Sequence, residues 1–149
     1  MSRRSLAASA VLLALSFGAC KGGEKAQEQQ AAPPAAAAPQ AAAIPAGQLP
    51  PGVTQAMLDE GNTLFHGAGL CATCHGADGK GVPGLGANLS DSVWLHSDGS
   101  YDAIVKQVTE GVPANVSTSG AAMPARGGSS LTDDQVKAVA GYVWSLSKK

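Results

Sequence analysis

The stretch Cys71-Ala72-Thr73-Cys74-His75 decides how this chain is read. Two thiols three residues apart share one face of a helical turn, and an imidazole follows the second at once. A structural zinc site wants four ligands, usually with a second Cys or His pair, and no such pair follows at suitable spacing. A thioredoxin-like dithiol wants a βαβ setting, and the sequence shows no convincing strand. The remaining chemistry is thioether attachment. In C-x-x-C-H the two thiols reach the two vinyl groups on one porphyrin edge, and the histidine presents its imidazole to the iron. The motif therefore predicts one covalent haem c, with thioether bonds at Cys71 and Cys74 and His75 as the proximal ligand.

A second axial ligand has to come from elsewhere. Met123, in Ala121-Ala122-Met123-Pro124-Ala125, is the candidate distal ligand. Pro124 stiffens the segment and has no N–H to satisfy. A thioether paired with histidine raises the haem potential. The ordinary use of methionine as adaptable core filler suits Met57 better, since Met57 falls on the apolar face of a predicted helix. His66 stands at the end of that helix, too near the attachment site to swing across the haem. His96 sits in a polar turn and is expected in solvent.

Three helical patterns surround the motif. The first covers about 54–66, with Thr54 as cap, Val53 and Leu58 as a hydrophobic staple, and Met57, Gly61, Leu64 and Phe65 on one face. The second covers 101–110, capped by Ser100 and ended by Gly111, with Tyr101, Ile104, Val105 and Val108 sharing a face. The third covers 133–146. Thr132 and Gln135 form a capping box there, and Asp133 and Asp134 suit the positive helix end. Val136, Val139, Ala140 and Val143 make its inner stripe. The expected fold is all-α, with three main helices wrapped around one haem in a domain spanning 53–149. The run Gly76-Ala77-Asp78-Gly79-Lys80-Gly81 lacks the G-x-x-x-x-G-K-[ST] order and the preceding strand of a phosphate loop. Its glycines are read instead as letting backbone wrap closely around the haem edge.

The N-terminal third differs in kind. Arg3 and Arg4 precede an apolar run from Leu6 to Phe17, too short to span a membrane and shaped as an export signal. The run ends in Phe17-Gly18-Ala19-Cys20, which resembles the lipobox of bacterial lipoproteins, with Phe17 where leucine is usual. The resemblance implies a signal peptide at 1–19 and a lipidated Cys20 as the mature N-terminus. Anchoring by more than one acyl chain is stable. Lys21, rather than aspartate, favours the outer membrane by analogy with sorting rules. Residues 20–52 read as a flexible linker of Ala, Pro, Gln and Gly, in which six prolines block continuous helix. Extended, it would reach about 100 Å. The three cysteines are then all assigned, and none is left for a disulfide.

Composition agrees with a cofactor inside a small fold. Of 149 residues, 44% are hydrophobic but only 4% aromatic, thin material for a self-sufficient core. The formal net charge of −1 offers no basis for nucleic-acid binding. Removal of the signal takes away two of the ten Lys+Arg, leaving 8 against 11 Asp+Glu, a net −3.

The run from Gly61 to Leu146 resembles the class I cytochrome c family, and most closely the single-haem domains of the electron-entry subunit of cbb-type haem-copper oxidases. The matching residues are Leu64-Phe65, Cys71-Ala72-Thr73-Cys74-His75-Gly76, Asp78-Gly79-Lys80-Gly81, Asn88-Leu89, Trp94-Leu95, Met123-Pro124, and Leu131 to Gln135 continuing through Tyr142-Val143-Trp144. The resemblance implies a close crossing of first and last helices at Gly61 and Tyr142. It implies that the carbonyl before Asn88 accepts the His75 ring N–H, here from Ala87 where many members have proline. It also implies an approach of Trp94 to a haem propionate. The function expected is single-electron transfer in the bacterial envelope, with a periplasmic domain tethered by lipid near membrane redox partners. The alternatives are a haem sensor with a displaceable sixth ligand, and a weak peroxidase using Arg126, the one arginine left in the mature chain.

Overall fold

The computed structural model describes residues 40–148. The expected signal peptide, Cys20 and the linker up to residue 39 lie outside the described residues. The described chain forms α1 (Gln55–His66), α2 (Cys71–His75), α3 (Tyr101–Glu110) and α4 (Asp133–Leu146), with short 3-10 turns at Ala46–Gln48 and Ala125–Gly128. Among the described residues there is no strand, only two isolated bridges, Val82–Gly86 and Val112–Met123. The all-α expectation holds.

Local chemistry sets the helix ends. Thr54 accepts from the Met57 N–H at 3.3 Å, and Val53 and Leu58 beside it are both buried as a staple. Ser100 caps α3 through the Ala103 N–H at 3.3 Å. At α4 the capping box is complete: Thr132 Oγ1 accepts from Gln135 N–H at 3.3 Å, and Gln135 Oε1 accepts from Thr132 N–H at 2.9 Å.

The long helices α1 and α4 cross at Gly61. A Cβ there would overlap the Ala138 carbonyl and stand 2.9 Å from Tyr142 Cβ, so only glycine permits the approach. Around the crossing, Phe65 meets Tyr142 edge-on at 5.3 Å between ring centroids. Leu58, Phe65, Val136, Val139 and Leu146 are fully buried. The core is thus built where α1 and α3 press on α4, and Tyr101 Oη donates to the Lys137 carbonyl at 3.3 Å to tie α3 to α4.

Two expectations need correction. Met57 is half-buried and stands off the core cluster, because the buried face of α1 runs through Leu58, Gly61, Asn62, Leu64 and Phe65. The linker reading, carried to residue 52, also runs too far. Ala41 is buried in the core, and Ile44 and Leu49 pack against it. The Ile44 N–H donates to Gln55 Oε1 at 3.2 Å, and Leu49 to Pro51 line a groove with Tyr101 and Trp144. These apolar residues need no period of their own, since the helices supply the surface and an extended, proline-bounded strap lies on it.

Candidate haem site

The C-x-x-C-H stretch folds as α2, one short helix that carries Cys71, Cys74 and His75. It is preceded by Leu70 in the left-handed region at φ 57°, a conformation costing a non-glycine residue about 1–2 kcal/mol. After α2 the chain doubles back, with the Gly81 N–H on the His75 carbonyl at 2.8 Å. Gly86 then lies so close under Cys74 that a Cβ would overlap the Cys74 carbonyl. This return brings the Ala87 carbonyl to 2.8 Å from His75 Nδ1. A carbonyl can only accept, so the proton sits on Nδ1 and the lone pair on Nε2 is left for a metal.

His75 lines a cleft of two adjoining lobes. The outer lobe, of about 630 Å³ including open solvent, is bordered by Leu70, Cys71, Cys74, Leu85 and Met123 among others. The inner lobe, of about 400 Å³ including open solvent, is bordered by Phe65, Leu89, Trp94, Ile104 and Val143. Cys71, His75, Gln107 and Met123 border both lobes. Met123 is fixed by its bridge: its N–H donates to the Val112 carbonyl at 2.9 Å, and the Val112 N–H returns a bond to the Met123 carbonyl at 2.8 Å.

The residues present fit a haem. The lining is mainly apolar, as in cofactor sites. Leu70 is 55% and Leu85 41% exposed at the mouth, apolar surface that a porphyrin would cover. Gln107 Oε1 is buried on the shared wall with no hydrogen-bond partner, which marks a space completed by another group. Both thiols are free. Burial, with a smaller push from Cys74, drives the Cys71 thiol up to about 11 against the opposing effect of its backbone hydrogen bond. Among the described residues no group of three or more His, Cys, Asp or Glu converges as a metal-ion site.

The structure places Cys71, Cys74, His75 and Met123 on one cleft. His66 is elsewhere, with Nδ1 2.8 Å from the Asn62 carbonyl and Nε2 2.8 Å from the Ala77 carbonyl. His96 is exposed, as expected, yet it borders the outer lobe. Arg126 is not on the cleft. Its guanidinium donates to the Leu131 carbonyl at 2.7 Å and to Asp133 Oδ1 at 2.6 Å, which removes it from the place a peroxidase reading requires. Sequence reasoning passed over Leu70, Leu85 and Gln107. Only Gln107 left a signal, as a polar residue one position before Val108 on the apolar side of α3.

Comparison with known proteins follows the same lines. The profile of the family described as "Cytochrome C oxidase, cbb3-type, subunit III" matches residues 56–143. The chain is 40% identical over 83 residues to a cbb3-type cytochrome c oxidase subunit CcoP of Rubrivivax gelatinosus, covering 53% of this chain and 23% of that one. It is 40% identical over 97 residues to a subunit FixP of Azorhizobium caulinodans, covering 64% and 29%. It therefore spans about a quarter of the length of these curated relatives. The crystal structure of cytochrome CL from Methylophaga aminisulfidivorans MPT overlaps 59% of this chain and 51% of its own, at TM-score 0.46 and 22% identity. The chain belongs to the cbb3-type cytochrome c oxidase subunit III family, and its helical domain is a class I c-type cytochrome domain.

Proposed function

We propose that this domain is a one-electron carrier holding a single haem c, with thioether bonds to Cys71 and Cys74 and axial ligation by His75 Nε2 and Met123 Sδ. The observation that carries the reading is the His75 Nδ1–Ala87 bond of 2.8 Å, made inside a cleft that Met123 also lines. The haem, once bound, supplies a ferrous–ferric couple. The protein's part is to keep both ligands in place so that little moves on electron transfer. Ala87 holds the imidazole plane and its tautomer, and the Val112 bridge holds the methionine. The apolar inner wall of Phe65, Ile104, Val108, Val139 and Val143 keeps water away and favours the less charged ferrous state.

The working setting we infer is the bacterial envelope. A signal at 1–19 would export the chain, Cys20 would carry lipid, and the chain to about residue 40 would tether a periplasmic domain near membrane redox partners, raising their effective concentration. Lys21 favours the outer membrane. Among the described residues no helix is long and apolar enough to cross a membrane.

The test is the absorption spectrum of the purified holoprotein. It should be low-spin in both oxidation states, with a weak thioether-to-ferric charge-transfer band at the red end of the visible. Met123→Leu should abolish that band and open the ferrous iron to carbon monoxide. A band that survives Met123→Leu would remove Met123 from the ligand set.

A further inference from the structure

The segment that follows Met123 is held in an unusual way. From Pro124 to Ser130 the chain has no buried side chain; Pro124, Ala125, Gly128 and Ser130 are exposed. Apolar packing resumes only at Leu131, which is 5% exposed. Between these points the backbone turns through three consecutive residues of positive φ, Arg126 at 53°, Gly127 at 67° and Gly128 at 76°. An arginine in that region is disfavoured and persists only where surroundings hold it. Those surroundings include the bonds of its own side chain, beside the Gly127 N–H on the Pro124 carbonyl at 3.0 Å, the Ser129 N–H on the Arg126 carbonyl at 3.2 Å, and the close approach of Gly127 to the Gly69 carbonyl. The guanidinium reaches past the turn to the Leu131 carbonyl at 2.7 Å and to Asp133 Oδ1 at 2.6 Å, at the first turn of α4. The Arg126 side chain is 29% exposed, so these bonds are partly withdrawn from water, whereas that of Asp133 is 80% exposed. Ser129 Oγ adds a bond of 2.6 Å to the Arg126 carbonyl. Gly127, next to the clamp, borders the outer lobe of the cleft.

Met123 is therefore held at its own backbone by the Val112 bridge, Pro124 and Ala125 lie close against Gly111, and the Arg126 clamp holds the chain beyond them. We propose that Arg126 is a positioning residue for the distal ligand, a latch whose bonds to Leu131 and Asp133 set how often Met123 leaves the iron. The inference rests on Met123 being that ligand. With the latch closed, the loop from Pro124 to Ser130 cannot swing away and the sixth site stays filled. With it open, the sixth site takes exogenous ligands, and the carrier acquires the displaceable ligand of a sensor.

The experiment is stopped-flow displacement by imidazole on the ferric holoprotein. At saturating imidazole the rate levels off at the departure rate of Met123. That plateau should rise about tenfold or more in Arg126→Gly, the scale of losing a charge-assisted hydrogen bond. Arg126→Gly suits the turn but adds backbone freedom, so the same rise is required of Arg126→Asn, which tolerates the left-handed region and keeps a side chain. Asp133→Asn should give a smaller rise. Thr132→Ala removes the α4 cap but leaves both partners of Arg126. It should lower the melting temperature with the plateau unchanged. A plateau in Arg126→Gly within about twofold of the parent, with the red-end band intact, overturns the latch and leaves the ligand assignment standing. An equal rise in Thr132→Ala overturns it too, because the loop would then be following general helix stability. A parent protein without the red-end band overturns ligation and latch together.

Discussion

At the scale of single residues, two contacts organise the molecule. The Ala87 carbonyl decides which nitrogen of His75 carries its proton, and a change at 87 that keeps the backbone path keeps that control, since the acceptor is main chain. Gly61 is the opposite case, where the absence of a side chain is the whole function. Gly61→Ala would drive a methyl into the Ala138 carbonyl and the Tyr142 Cβ. Overpacking of a core costs about 1–3 kcal/mol, and backbone as the obstacle puts this site at the upper end. Urea denaturation of the holoprotein should show that loss; an unchanged midpoint would mean the helices do not cross there. Cys71, Cys74 and His75 stand out in the sequence because their spacing is what thioether attachment of a haem requires. Gln107 and Leu70 do not. The one matters through a cleft formed by distant segments, and the other through a backbone angle that leucine does not advertise.

At the scale of elements, the helix limits were almost wholly readable. The signals that set them are local: Thr54, Ser100 and the Thr132–Gln135 box bond to backbone within three residues. What was not readable is long-range. The strap from Ala41 to Leu49 has the composition of a linker, and only the surface beneath it makes its apolar residues core. The Met123 loop is held by the Val112 bridge and, more locally, by the Arg126 clamp to Leu131 and Asp133, and that clamp has a pH signature. The Arg126 guanidinium, by hydrogen bond first and charge second, holds the Asp133 carboxyl below the usual carboxylate range. A depressed carboxylate contributes stability that is full above its unfolded pKa, about 3.9, and is lost as pH falls through the lowered folded value. Acid unfolding should therefore set in at higher pH for Arg126→Gly than for the parent at low salt. The gap should narrow as salt screens the pair, and equal acid midpoints at low salt would show that the pair contributes nothing.

At the scale of the whole molecule, three long helices and one short one among the described residues leave a cleft lined by a C-x-x-C-H helix and a bridged methionine. The core is built on the α1–α4 and α3–α4 contacts and the strap from Ala41 to Leu49 that covers them, with few aromatics in the sequence to enlarge it. A covalent haem would complete that core, and its absence would leave Gln107, Leu70 and Leu85 facing open space. The central claim is thus a pair of bonds between this chain and one porphyrin. Intact-mass spectrometry of the denatured protein, from a host able to attach c-type haem, tests it most directly. The account predicts the chain plus one haem, with the added mass mapping to the peptide that holds Cys71–His75. A haem-free mass with both of those thiols open to alkylation would contradict it.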